Sequence, residues 1–488
     1  MALTAVIFAF DIRLLPSGIT INPTFAASTA LTFDVTESDK ESPHMKNRVI
    51  TESPDEPRPS VSLPANASLD CLIEGELPSL VATYKLLHAT PELSGQEAKT
   101  SALLAKELKS LGYAVSEGIG RYEHNPWPGY GVVAVLQNGA GPTVLVRADM
   151  DALPIEENTG LPYASQVRGV NRDGKEVAVM HACGHDLHVT TLIGTARLLA
   201  LLKGEWQGTL VLIGQPGEEG GGGAQAMVND GAYRLCPQPD YALALHATLQ
   251  LEVGTIGYLA GNFMSSFSEV EIKVRGVGAH GSAPESGKDP IVMAAQLVLA
   301  LQTIVSREVN PFDPAVLTVG SIHGGAASNI IPEEVRLQLS IRTYDDKVRD
   351  LILASVERIA KGVAFTAGVP EDRAPVVRLI ASHPANYNDP QLTERVARAL
   401  KQALGDNKVV RTKPVMVSED FGSWGLGGRI PTCMFWLGAA DPVQFKASQQ
   451  SGVPLPSHHS PLFAPLPEPA LRAGVKAMSA AVLDLLAK

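Results

Sequence analysis

Four cysteines in 488 residues are too few for a disulfide-stapled scaffold. They stand apart, at Cys71, Cys183, Cys236 and Cys433, and neither require nor exclude an oxidising compartment. Aromatic residues are scarce at 5%, and charged residues reach only 19%. Basic residues are outnumbered, 40 Lys and Arg against 51 Asp and Glu, so the net charge is −11. That balance argues against a nucleic-acid coat and against adhesion to an anionic membrane. No run reaches the ~18 consecutive apolar residues of a spanning helix. No nucleic-acid or membrane partner is therefore expected. What is present is apolar material, 45% of the chain, enough for large cores and inconsistent with wholesale disorder. At ~150 residues per domain, the length suggests about two to three domains.

The N-terminus is a poor secretory signal. Met1 to Phe10 is apolar, but no Lys or Arg precedes it, and Asp11 and Arg13 interrupt it. Phe25-Ala26-Ala27-Ser28 has the small residues of a cleavage site. A cytoplasmic location is expected, with secretion or a periplasmic location as the alternative. From Thr36 to Ser68 the chain is rich in Ser, Glu, Asp and Pro and lacks hydrophobic periodicity. Residues 1–71 read as a leader, with order beginning near Leu72.

Helical spacing links Leu80, Tyr84 and Leu87, then Leu104, Leu108 and Leu111, with a break at Pro91. Short apolar runs follow, each ending in polar residues. Thr143 to Val146 leads into Arg147-Ala148-Asp149-Met150-Asp151, and Thr209 to Ile213 leads into Gly214-Gln215-Pro216-Gly217-Glu218-Glu219. Tyr241 to Leu245 ends at His246. Such runs suit strands buried on both faces. With a helical pattern from Val189 to Leu202 between the first two, they predict an α/β sheet with its site at the strand ends.

After Phe263 the texture changes. Val270, Ile272 and Val274 alternate with Glu271 and Lys273. A helix over Pro290–Glu308, strands over Ala315–Ile322 and Val335–Thr343, a helix from Asp345 and a strand near Val376 complete β-α-β-β-α-β. That order is the ferredoxin-like split motif. The fold class is therefore α/β. A catalytic domain (72–260 and 381–488) with a mixed sheet flanked by helices carries an inserted ferredoxin-like α+β satellite domain (261–380).

The densest chemistry is Met180-His181-Ala182-Cys183-Gly184-His185-Asp186-Leu187-His188. A thiolate and an imidazole two residues apart can reach one borderline cation. The plain alternative is a helix cap with a buried inert Cys183 and a surface His188. Glu218-Glu219 offers two adjacent carboxylates, one for a metal and one to take a proton from water. A solvated acidic loop is the alternative. Asp149 and Asp151 end a buried strand and suit ligation or support of a ligand imidazole. His246 and the pair His458-His459 are further candidates. Cys183 as a nucleophile with a histidine base is a rival mechanism, but it leaves the paired glutamates without a role.

Taken together, RADMDALPIEE, MHACGHDLH, GQPGEEGGGGAQAM, ALALHA, GVGAHGSAPESGKDPI, GGAASNIIPEE, VSEDFG and HHSPLF resemble the M20 metallopeptidase clan. Within it they are most similar to the amidohydrolase subfamily of hippurate hydrolases, N-acyl-L-amino-acid amidohydrolases and plant auxin-conjugate hydrolases. The resemblance runs from about residue 75 to 486 in family order. It implies two divalent ions per subunit (Zn, Mn, Co or Ni) held by Cys183, His185, Glu219, His246 and His459, with the thiolate as bridge. It implies Glu218 as general base and Asp151 as support for the metal site. Where the wider clan has a ligand histidine this chain has Asp149, which is not carried over.

In the satellite, the resemblance implies that His280 reaches a partner subunit's site and stabilises the oxyanion. It implies that Asn329 and Arg342 bind substrate, with Arg342 on the free carboxylate. The implied reaction is metal-dependent hydrolysis of N-acyl amino acids by a homodimer joined through the satellite. A carboxypeptidase or dipeptidase of the same clan, acting on short peptides, is the alternative. A catalytically dead binding protein on this fold is disfavoured, because every expected metal-site position is filled.

Overall fold

Continuous apolar runs need partners on both faces, and the central strands have them. The strands Thr143–Asp149, Gly208–Gln215 and Thr432–Ala440 are buried along their whole length. A computed structural model describes residues 69–122 and 127–488. Of the leader expected over residues 1–71, residues 1–68 lie outside the described residues, and Leu69 already starts the first helix, Leu69–Ala89.

The large sheet has eight strands, in the order 114–119, 131–138, 208–215, 143–149, 241–252, 432–440, 256–258 and 409–411. It is mixed: 143–149 runs parallel to both its neighbours, whereas 131–138 is antiparallel to 208–215. Helices His185–Leu201 and Pro467–Leu485 pack on it, and helix Leu69–Ala89 packs on those two helices, with Leu80 and Val475 meeting beside Gly194. The first two strands, Ala114–Ile119 and Gly131–Asn138, are additions to the sequence reading: the first has no apolar period, and the second carries the apolar run Val132 to Leu136. The strand ending at His246 in the sequence reading continues to Glu252, so His246 sits within a strand rather than at its end.

The second sheet is built differently. Strand Phe267–Arg275 alternates buried and half-buried residues, as its sequence alternates Val and Ile with Glu and Lys. The order 376–383, 267–275, 334–343, 315–324 is antiparallel throughout, with helices Pro290–Thr303 and Asp346–Thr366 on one face. That is the strand order of a ferredoxin-like unit. Its core is separate: Val270, Ile272, Leu337, Leu339 and Ile341 meet Leu297, Leu301, Ile352 and Val356.

One helix among the described residues, Pro290–Glu308, has the length (19 residues) and mean hydropathy (1.4) of a membrane span, although it is no unbroken apolar run. Its Met293, Leu297 and Leu301 are buried on the second sheet. Ile291, Val292 and Leu299 remain exposed.

Candidate metal centre

The site forms where the strand ends of the large sheet meet the start of helix His185–Leu201. Gly184 precedes that helix with φ +86°, a left-handed conformation that places Cys183 and His185 on the same side. A Cβ at Gly184 would lie 3.1 Å from the Cβ of Ala247. Gly217 plays the same part before Glu218, with φ +63° and no room for a Cβ beside the Tyr122 hydroxyl. His459 also adopts a left-handed backbone, at φ +64°. For a residue with a Cβ this costs about 1–2 kcal/mol, and the imidazole, 51% exposed, faces Glu219.

The side chains assemble as two triads that share one atom. Ligand atoms of Cys183, His185 and His246 lie within 4.8 Å of one another, and so do those of Cys183, Glu219 and His459. Within them, Cys183 Sγ is 3.5 Å from His246 Nε2, and His459 Nε2 is 3.0 Å from Glu219 Oε1. His458 points elsewhere and donates from Nε2 to the carbonyl of Ala247 at 2.7 Å.

The charge balance fits a cation. His185 is fully buried, with Nδ1 3.3 Å from Asp151 Oδ1 and Nε2 3.5 Å from Asp149 Oδ2, and neither contact has the geometry of a full hydrogen bond. A thiolate, imidazoles and carboxylates so gathered are a donor set that suits a divalent metal. Burial lowers the His185 pKa, but Asp149, Asp151 and Glu219 outweigh it and lift the value to about 10. Burial, together with the Glu219 and Glu218 carboxylates, pushes the Cys183 thiol well up. A thiolate at that position requires compensating positive charge.

Asp151 ties the pieces together. Its Oδ1 accepts from the backbone N–H of Glu218 (3.1 Å) and lies 3.3 Å from His185 Nδ1. Its Oδ2 accepts from the N–H of Glu219 (2.9 Å) and from Ser94 Oγ (2.5 Å). Glu218 lies between two groups, with its ligand atoms within 4.8 Å of those of His185 and Glu219 on one side and of Glu419 and Asp420 on the other. Partial burial and the carboxylates of Glu419, Glu219, Asp420 and Asp151 hold Glu218 well above the ordinary glutamate range. Glu97 accepts from the N–H of Gly217 at 2.8 Å and so fixes the turn that presents Glu218.

Several of these residues went unread in the sequence. His188, weighed there as a surface residue, is buried and binds Asp149 Oδ1 through Nδ1 at 2.6 Å. Arg147 bridges Asp149, Glu419 and Asp420 at 2.6, 2.7 and 3.0 Å. Glu419 and Asp420 of VSEDFG, matched in the sequence by resemblance alone, line the acidic side of the site.

The residues of the second sheet, its two helices and its flanking ribbon, the region expected as the satellite, divide. Arg342 is half-buried, donates to Ser418 Oγ at 2.8 Å and lies within the field of Glu218. His280 and Asn329 sit together on the ribbon of Ala279–His280 and Ile330–Ile331, both exposed, beside a cavity of about 530 Å³. Among the described residues, no hydrogen bond or ion pair joins either to the two triads. Within one chain, then, the structure does not bring His280 and Asn329 to the metal-ligand cluster.

Comparisons agree with this architecture. The chain is 37% identical over 347 residues to an N-acetyl-L-cysteine deacetylase of Bacillus subtilis, covering 70% of this chain and 76% of that one. It is 38% identical over 339 residues to a hippurate hydrolase of Campylobacter jejuni, covering 69% and 82%. A dinuclear metal-binding peptidase of the M20 family from Bacillus subtilis superposes with a TM-score of 0.66 at 26% identity, over 85% of this chain and 99% of that one. The profile of peptidase family M20/M25/M40 matches residues 145–456, and with its strand-end cluster in place the chain belongs to that family.

Proposed function

We propose that the chain hydrolyses the amide bond of N-acyl amino acids and releases a carboxylic acid and a free amino acid. Membership of a peptidase family already makes it an amide-hydrolysing enzyme. The observation that carries the hydrolysis is the pair of triads sharing Cys183, with Glu218 beside them, and the likeness to an N-acetyl-L-cysteine deacetylase and a hippurate hydrolase favours an acyl amino acid as the substrate. Cys183, His185 and His246 would hold one divalent ion, and Cys183, Glu219 and His459 the other. When bound, the ions supply positive charge that polarises a carbonyl and acidifies water.

The residues divide the remaining work. Glu218 takes a proton from the attacking water, whose oxygen bonds to the amide carbon. The same carboxyl then returns the proton to the nitrogen as the carbon–nitrogen bond breaks. A base of raised pKa suits both transfers near neutrality. Arg342, in the field of Glu218, would take the substrate's free carboxylate. His280 and Asn329 would act in a second subunit's site, which accounts for their exposure here. The exposed apolar face of Pro290–Thr303 would join two satellites in a homodimer.

A panel tests this: hippurate, N-acetyl-methionine, an indole-acetyl amino acid and a dipeptide. Each is run on chelated enzyme and after return of Zn²⁺, Mn²⁺, Co²⁺ or Ni²⁺. Metal-restored release of amino acid is expected, fastest on the acyl amino acids. Faster cleavage of the dipeptide would make the enzyme a peptidase instead. Glu218→Gln should lower turnover by about 10²–10⁴-fold with metal content unchanged. A wild-type rate in that variant would overturn the mechanism.

A further inference from the structure

The peptide group of Ala247 meets three imidazoles. His246 Nδ1 donates to the Ala247 carbonyl at 2.8 Å, and His458 Nε2 donates to the same oxygen at 2.7 Å. The Ala247 N–H donates to His188 Nε2 at 2.8 Å. Each partner dictates a tautomer. A carbonyl only accepts, so His246 carries its hydrogen on Nδ1 and leaves Nε2 bare, facing Cys183. A backbone N–H only donates, so His188 has a bare Nε2 and carries its hydrogen on Nδ1, which donates to Asp149 Oδ1. Asp149 is anchored in turn by Arg147 Nη1 at 2.6 Å. The Ala247 oxygen, with two donors, has no lone pair left for a competitor.

Ring packing holds the same geometry. His458 stacks on Trp436 at 6.0 Å and 16°, with Phe463 at 5.2 Å. It meets His246 nearly edge-on at 4.9 Å. His188 meets His246 edge-on from another side, at 4.7 Å.

We propose that His188 and His458 are positioning residues that fix the tautomer and ring plane of His246 through the Ala247 peptide, keeping its Nε2 free for a metal. This rests on the reading of Cys183, His185 and His246 as ligands of one ion. Neither residue touches substrate or metal in this scheme. His458 adjoins His459 of the second triad, so one peptide group bears on both triads.

The test uses the full chain with Co²⁺ alone as probe. His458→Phe keeps a flat ring in the stack and removes the donor. His188→Leu removes the acceptor, and His188→Gln restores one through its amide oxygen. Competition against a chelator should show Co²⁺ affinity lowered by about 10–100-fold in His458→Phe and His188→Leu. It should be partly recovered in His188→Gln. The thiolate-to-cobalt absorption should change with it. Nitrogen-resolved imidazole spectra of the metal-free protein should show His246 as the Nδ1–H tautomer, mixed with the other form in His458→Phe.

Unchanged affinity and cobalt spectrum in both variants would overturn the proposal. So would a lowered thermal midpoint with affinity intact, which marks a purely structural role. A wild-type chain that binds no Co²⁺, Zn²⁺ or Mn²⁺ would bring down the metal reading itself, which is a separate and visible failure.

Discussion

The two sheets solve opposite problems. Among the described residues, the buried charged and imidazole side chains all belong to the large-sheet region: Arg147, Asp149, Asp151, Glu97, His185, Asp186, His188, Glu419 and Asp420 are examples. The satellite buries Val270, Ile272, Leu337, Leu339 and Ile341, and its charges lie outside. One region is organised around groups that are costly to desolvate, and the other around groups that gain from leaving water. The polar region can therefore present charge to a reaction. Its stability then depends on every charge keeping its partner.

The sharpest way to break this contrast is to remove one partner from each region. Arg147→Met leaves Asp149, Glu419 and Asp420 buried beside an apolar chain. A loss of about 3–5 kcal/mol is expected, seen as a lower denaturant midpoint, with reduced metal content because Asp149 no longer anchors His188. In the satellite, Leu337→Ala opens a cavity and should cost about 2–5 kcal/mol while leaving metal content at the wild-type level. If both variants lose metal equally, the two regions are not energetically distinct.

This division was only partly legible in the sequence. Local periodicity is enough for the satellite, because alternating Val, Ile and Leu state which face is buried. The metal-ligand candidates were legible because Cys183, His185 and the Glu218-Glu219 pair sit in short dense motifs. The charge network was not. Arg147 and Glu419 are 272 residues apart in sequence, and no local pattern joins them. His188 resembled a surface residue because its acceptor, Asp149, lies 39 residues earlier, on a different element. His88 had no motif at all, yet it is wholly buried between Asp186 and Glu157.

His88 offers a pH-dependent test of the polar region. Burial pulls its pKa down, but hydrogen bonds with Asp186 and Glu157 outweigh that and raise it to about 10. The folded value exceeds the unfolded value of 6.5, so the charged ring contributes stability that is fully present below pH 6.5. That contribution fades as pH rises through about 10. Asp186 and Glu157 are held below their ordinary values, so their share fades instead as pH falls. The midpoint difference between wild type and His88→Gln should thus be widest from about pH 5 to 6.5 and narrow steadily toward pH 10. A difference that does not vary with pH would mean the ring is buried neutral.

The smallest effect belongs to the satellite surface, and it sharpens the contrast by being small. Arg358 pairs with Glu308 at 2.6 Å, as close as Arg147 to Asp149. Its side chain is 61% exposed, however, and water screens the pair. Arg358→Ala should therefore cost about 0–1 kcal/mol, against the several expected for Arg147→Met. Salt should erase most of the Arg358 effect and little of the Arg147 effect, because screening reaches exposed charges first. Denaturant midpoints of both variants at low and high salt check this. Equal salt sensitivity would mean that solvent reaches the Arg147 cluster, and that burial does not separate the two kinds of ion pair.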